Sequence, residues 1–125
     1  AVNKDDFLAV MKYNCELLHG DRKPVVLHSE NGALYAYLKT YKYETLDTVE
    51  AKNNNMEEEF YIGFNPSYLV DVFNIVDTDY PVCEGKSNKS PLFVYGNEYS
   101  FLILPVNIGN EVEDMKQSIN RSRVA

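Results

Sequence analysis

The sequence predicts an α+β domain in which two helices pack on one face of antiparallel β-sheet. Two segments with helical hydrophobic periodicity, near 5–18 and 65–76, are each followed by short strand-like segments with hairpin-length connections. The length of 125 residues accommodates one hydrophobic core and is short for two ordinary domains. Ten tyrosines and six phenylalanines, without tryptophan, also favour strand-rich structure, because aromatic rings fit half-buried pleated surfaces.

The first helix is predicted at 5–18. Its apolar residues recur at the spacing of one helical face, namely at Phe7, Leu8, Met11, Cys15 and Leu18. Asp5 and Asp6 lie in the first turn, where the positive end of the helix dipole favours carboxylates. Gly20 and Asp21 follow and are expected to end the helix.

Three strands are predicted after this helix, at 25–28, 33–41 and 43–49. Asn31 and Gly32 lie between the first two strands, and this pair is a strong signal for a tight hairpin turn. A polar loop is then expected at 52–55, and a fourth strand at 59–64.

The second helix has a clear predicted start. Asn65 can cap it, and Pro66 occupies the first turn, where the missing N–H leaves no helical hydrogen bond unmade. Its apolar stripe consists of Tyr68, Leu69, Val72, Phe73 and Val76. Three further strands are predicted near 80–84, 91–95 and 99–106. The pattern ends there, so the folded domain is predicted at 1–108, followed by a polar C-terminal tail at 109–125, either a short helix or disordered.

Composition excludes several classes of protein. The net charge of −7 argues against a dedicated nucleic-acid surface, although a local basic strip on one face is compatible with it. No apolar run approaches the roughly 18 residues of a membrane span, and the first residues lack the order of a signal peptide. Cys15 and Cys83 have no metal-type spacing, so we interpret them as reduced thiols in a cytoplasmic protein.

No catalytic constellation is found in the sequence. Nucleotide-binding loops, HExxH and GxSxG are all missing, and His19 and His28 are interpreted as structural rather than as bases or metal ligands. The acidic run 57–59 is interpreted as a solvated surface, and Asp77 and Asp79 as residues of a helix-end turn. We therefore expect neither an enzyme nor a bound cofactor or metal.

Three ordered segments carry a family resemblance: IGFNPSYLVDV at 62–72, SPLFV at 90–94 and FLILPV at 101–106. In order and spacing they resemble the third, C-terminal domain of the bacterial sliding clamp, the beta subunit of DNA polymerase III. The resemblance covers about 4–108, including the opening helix.

This resemblance implies a replication processivity factor with no catalytic role. Clamp domains have two helices against antiparallel sheet, and six of them close a head-to-tail dimeric ring on duplex DNA, with helices lining the channel. The third domain carries part of a hydrophobic cleft for linear motifs of polymerases, the clamp loader and repair proteins. Carried over by position, the cleft residues are Asn65, Tyr68, Pro91, Leu102, Ile103, Leu104, Pro105 and Val106.

Simpler interpretations of these residues stay open at this stage. Tyr68 lies on an apolar helical stripe and is equally compatible with a core position, and 102–106 would be a buried strand in many folds. Asn65 has two candidate roles, because its side chain can cap the helix or meet a peptide backbone. Gly63 indicates a backbone constraint before the helix.

The sequence also departs from the family pattern. Asn107 stands where the family commonly has arginine, and 17 residues follow Ile108 where family chains usually end. We hypothesise that this tail folds over the cleft, with Met115 or Ile119 occupying it as an internal competitor.

The helices expected to face DNA carry little positive charge. Lys12 is the candidate DNA-facing residue of the first helix, and the second helix has neither lysine nor arginine, so an isolated domain should bind duplex DNA weakly. Two functions are therefore considered. One is a clamp domain that works with other clamp domains, and the other is a free-standing clamp-like regulatory or scaffold protein that does not encircle DNA.

Overall fold

The computed structural model describes residues 1–18, 20–30, 32–51 and 61–124. The predicted loop at 52–55, the acidic run 57–59, the start of the fourth predicted strand, His19 and Asn31 lie outside the described residues. In chain order the elements are α1 (Lys4–Leu18), β1 (Val25–Glu30), β2 (Ala33–Lys39), β3 (Glu44–Val49), β4 (Tyr61–Phe64), α2 (Pro66–Ile75), β5 (Val82–Glu84), β6 (Leu92–Tyr95), β7 (Ser100–Ile103) and α3 (Glu111–Val124).

The strands form two antiparallel sheets, in the orders β3-β2-β1-β4 and β5-β6-β7. A helix followed by a three-stranded meander therefore occurs twice, although no repeat is visible in the sequence. The two halves interlock, because β4 precedes α2 yet pairs with β1, with Val26 opposite Gly63. A residue of the first half also reaches the second half. Val2 lies before α1, and its N–H donates to the carbonyl of Pro81 beside β5 (2.9 Å).

The main core lies between the two predicted helices and the inner faces of both sheets. The rings of Phe7 in α1 and Phe73 in α2 are stacked, with centroids 4.3 Å apart. Alternate strand residues such as Leu27, Ile62 and Val94 point into the same buried cluster. The predicted packing of two helices on one face of antiparallel sheet is therefore confirmed.

A third helix occupies most of the predicted polar tail. Met115 and Ile119, four residues apart on α3, are buried against Val26 and Tyr37 on the opposite face of the four-stranded sheet. Arg121 forms an ion pair with Glu44 at 3.2 Å. The short apolar stripe and the charged remainder explain why the segment looks like a tail in sequence, since its partners are supplied by distant strands.

This placement contradicts the competitor hypothesis. Met115 and Ile119 contact the outer sheet face rather than the residues proposed to line the cleft. The physical reason is that the outer face of β1 and β2 offers Val26 and Tyr37, which would otherwise be exposed apolar surface.

Candidate functional site

The N-terminus of α2 is built as its sequence predicts. Asn65 has extended backbone, with φ −70° and ψ 115°, and its Oδ1 accepts a hydrogen bond from the Ser67 N–H at 3.0 Å. The Ser67 hydroxyl donates to the same oxygen at 2.8 Å. Pro66 is buried in the first turn. The cap uses the carbonyl oxygen of the Asn65 side chain, which leaves its amide N–H groups available to a ligand.

Tyr68 is the most conspicuous side chain of the first turns of α2. It is 56% exposed, whereas Leu69 and Phe73 are fully buried. The core interpretation of Tyr68 is therefore wrong. Leu69, Phe73 and Val76 supply the buried stripe at four- and three-residue spacing, and Tyr68 lies beside it on the solvent side.

The segment from β7 onward alternates between solvent and core. Leu102 is 54% exposed and Leu104 is 65% exposed, while Ile103 between them is buried in the main core. Val106 is also exposed, and Pro105 is half-buried. Of the five predicted cleft residues in this segment, Ile103 therefore supports the strand from behind, and the others are accessible.

A main-chain contact brings the two parts of the site together. The Val106 N–H donates to the Gly63 carbonyl at 2.8 Å, an isolated bridge outside the regular strands. Gly63 precedes the capping residue Asn65 by two positions, and Val106 follows Pro105 directly. The residues after β7 therefore run beside the entrance to α2.

Pro91 directly precedes β6, the strand that pairs with β7. Leu92 pairs with Ile103, and continuing this antiparallel register by one residue places Pro91 across from Leu104. The same register sets Phe93 opposite Leu102 on the solvent face of the three-stranded sheet. Phe93 was missed from the sequence, because Leu92, Phe93 and Val94 are all apolar and only the structure shows that Leu92 and Val94 are the buried ones.

The accessible side chains of the candidate site are mainly apolar. Burial raises the pKa of Cys83 to about 12, and burial together with Asp71 raises the pKa of Cys15, so both thiols are poor nucleophiles. His28 is buried, stacks on Tyr61 at 3.9 Å between ring centroids and contacts Glu30. These contacts give His28 a structural role, whereas His19 lies outside the described residues.

Asp77 also has a structural role. Its carboxylate accepts hydrogen bonds from the N–H groups of Asn97 (2.6 Å) and Glu98 (3.1 Å), and these bonds lower its pKa. In the described ranges, no group of three or more histidine, cysteine or acidic side chains is arranged to hold a metal ion. The helices described are likewise too short or too polar to cross a membrane.

The exposed sides of α1 and α2 carry more acid than base. Lys12 is exposed on α1, but so are Asp5 and Glu16, and Asp71 is exposed on α2. Phosphate binding depends on lysine and arginine, so this surface by itself is a poor one for DNA.

Comparisons with solved structures agree on one fold for this chain. No protein-family model and no curated protein matches the chain. Among solved structures, a DNA polymerase III beta subunit from Eubacterium rectale has a TM-score of 0.79 at 23% identity, covering 86% of this chain and 29% of that one. A sliding clamp from Bartonella birtlesii bound to griselimycin has a TM-score of 0.76 at 22% identity, covering 86% and 30%. One from Pseudomonas aeruginosa has a TM-score of 0.75 at 19% identity, again covering 86% and 30%.

The chain spans about 30% of the length of these structures, which is the share of one clamp domain. In this chain, two helices pack on two antiparallel sheets, Val106 bridges to Gly63, and α3 lies on the outer face of the four-stranded sheet. The chain has the fold of a single domain of the bacterial sliding clamp, the beta subunit of DNA polymerase III.

Proposed function

We propose that this chain is a protein-binding module of the DNA replication machinery. It acts as a sliding-clamp domain that presents an apolar groove to linear peptide motifs of polymerases, the clamp loader and repair proteins. The supporting observation is a set of accessible apolar side chains where the start of α2 meets β7 and the residues that follow it. This set consists of Tyr68, Leu102, Leu104 and Val106.

The physical argument rests on where apolar groups are left in water. Leu104 is mostly exposed although a core site lies one residue away at Ile103, and Tyr68 is exposed beside a fully buried stripe. Exposed apolar groups with a few polar neighbours are typical of peptide-binding sites, where one or two large side chains dominate affinity. The amide N–H groups of Asn65 are suited to fix the direction of a peptide backbone.

In a full ring, the domain would work with other clamp domains. β3 forms one edge of the four-stranded sheet, and such an edge can pair with a strand of a neighbouring domain. In that setting, neighbouring domains would complete the groove and supply the positive charge that the exposed sides of α1 and α2 lack.

A second candidate is a free-standing clamp-like regulatory or scaffold protein that does not encircle DNA. The observation in its favour is electrostatic, since Asp5, Glu16 and Asp71 outnumber Lys12 on the helix surfaces. Such a protein would use the same groove to bind clamp partners while remaining off DNA. Both candidates share the peptide site, so that site is the first property to test.

The test is a titration with a fluorescein-labelled peptide carrying the clamp-binding tail of a bacterial replicative polymerase, followed by fluorescence anisotropy. We expect saturable binding that Leu104→Ala and Tyr68→Ala each weaken by about tenfold, which corresponds to the loss of a central apolar anchor of about 1.4 kcal/mol. Ile75→Ala is the matched control, because Ile75 has the same 65% exposure as Leu104 but lies at the opposite end of α2.

Equal affinities for all three variants and the unmodified chain would place the binding surface elsewhere. Absence of binding to the unmodified chain would remove the peptide-binding proposal itself. Circular dichroism of each variant would establish that the folded state is retained, as expected for substitutions of exposed side chains.

A further inference from the structure

The segment 104–106, which follows β7 and lines the proposed groove, has few main-chain contacts with the rest of the domain. β7 ends at Ile103, and the following residues meet β4 through the isolated bridge between Val106 and Gly63. An isolated bridge restrains a segment much less than a ladder of hydrogen bonds, because neighbouring residues share no pairing. Another contact must therefore help to set the position of Leu104 and Val106.

Ile108 supplies this contact. A Cβ atom added at Gly63 would lie 2.3 Å from Cγ2 of Ile108, so the isoleucine side chain fills the space directly above the glycine. Ile108 is partly buried and also packs against the cluster that contains Met115 and Ile119 of α3. The Ile108 side chain thus links β4 and α3 to the segment 104–106, which lines the proposed groove.

α3 is anchored at positions remote from the groove. Arg121 pairs with Glu44 at the start of β3, and Arg123 pairs with Glu30 at the end of β1. Met115 is fully buried beneath the helix. These contacts extend from one end of the four-stranded sheet to the other, so the docked helix has a defined position on its outer face.

We propose that α3 is a brace for the peptide groove and that Ile108 is the positioning residue through which it acts. With α3 docked, Ile108 is held over Gly63, and Leu104 and Val106 are kept in the conformation that receives a peptide. The proposal rests on the peptide-binding function proposed above. It predicts that α3 increases peptide affinity, whereas a competing tail would decrease it. Detachment of α3 weakens peptide binding, because an unrestrained strand must be ordered when the peptide binds.

The experiment combines amide hydrogen exchange by NMR with the labelled-peptide titration, both on the full chain. Ile108→Ala removes the contact and leaves α3 its own anchors, whereas the double variant Met115→Ala, Ile119→Ala detaches the helix. For each we expect exchange of the Val106 amide to accelerate, and peptide affinity to fall, by about fivefold or more. Ile108→Val restores most of both properties, and Ile75→Ala changes neither.

Unchanged Val106 exchange in Ile108→Ala would overturn the brace. Faster exchange with unchanged or tighter peptide binding would overturn its role in affinity, and tighter binding after detachment of α3 would indicate a competing helix instead. If the unmodified chain binds no peptide, the proposed function fails, while the exchange rate of Val106 still decides whether the mechanical link exists. The two failures are thereby distinguished.

Discussion

Replacement of Gly63 by alanine tests how closely the chain after β7 packs on β4. The glycine has no unusual backbone requirement, because among the described glycines only Gly20 and Gly32 have positive φ. Its requirement is space, since an added Cβ would lie 2.3 Å from Cγ2 of Ile108 and 3.4 Å from the Val106 carbonyl oxygen. Real Cβ atoms do not approach other atoms to 2.3 Å, so Ile108 must move.

The expected cost follows from two opposing effects. Adding a methyl group to a filled site costs about 1–3 kcal/mol, and the flexible Ile108 side chain can absorb part of the overlap. Alanine also restricts the unfolded chain, which returns roughly 0.4–1 kcal/mol. We expect Gly63→Ala to lower the free energy of unfolding by about 1–2 kcal/mol, which lowers the melting temperature by roughly 4–8 °C for a chain of this size.

Urea unfolding followed by circular dichroism at equilibrium measures this difference. Gly109→Ala is the matched control, because its nearest neighbour is a Glu111 carboxylate oxygen 3.9 Å away and its φ is not positive. In the double variant Gly63→Ala, Ile108→Ala the overlap is removed, so the combined cost should be smaller than the sum of the single costs. Equal stability of the two glycine variants, or strict additivity in the double variant, would refute the steric argument.

Three further predictions concern other parts of the domain. Asn65→Ala should cost about 1 kcal/mol of unfolding free energy through loss of the α2 cap, whereas Asn65→Asp retains the cap; urea midpoints for the pair would decide. Burial, and then Asp6, raise the pKa of Asp47, so its ionised form is disfavoured in the folded chain relative to the unfolded one. Asp47→Asn should therefore stabilise the protein at pH 7, with the gain disappearing below about pH 4, where both states are protonated; a gain of equal size in urea unfolding at pH 3 would contradict this. Finally, the chain should bind duplex DNA with a dissociation constant weaker than about 100 µM at 150 mM salt. Tight binding in an electrophoretic assay would contradict this prediction and show that basic residues such as Lys12 suffice for DNA binding.

Local chemistry made several features predictable. Asn65 followed by Pro66 and an apolar helical stripe is a local helix-start signal, and the observed cap uses that asparagine oxygen. A strand is likewise predicted through 101–106, but its residues are apolar throughout, so the sequence does not reveal that Leu102 and Leu104 are exposed around a buried Ile103. These signals depend on neighbours in the chain, which the sequence displays directly.

The exposure of Tyr68 could not be derived in the same way. At about 100° per residue, Tyr68 lies at one border of the apolar stripe and Leu69 lies nearer its centre. Whether a residue at the border is buried depends on the angle at which α2 packs, and that angle is set by contacts such as the stacking of Phe7 on Phe73.

The C-terminal segment shows the clearest difference between local pattern and tertiary context. Two apolar residues four positions apart predict little about a polar stretch, and short helices are marginal without partners. Val26 and Tyr37 belong to strands far away in sequence, yet they complete the buried cluster with Met115 and Ile119. The role of Gly63 has the same origin, because Ile108 reaches it only after the chain has passed through α2 and the second sheet.

Periodicity, capping and turn chemistry thus determine the class of fold and most of its elements, with the exception of α3, since these are interactions between residues a few positions apart. The exposure of Tyr68, Leu102 and Leu104, the space above Gly63 and the docking of α3 depend on surfaces that meet only when both sheets have formed. Such contacts join residues separated by dozens of positions, and only the folded chain selects which of the many apolar pairs are brought within reach.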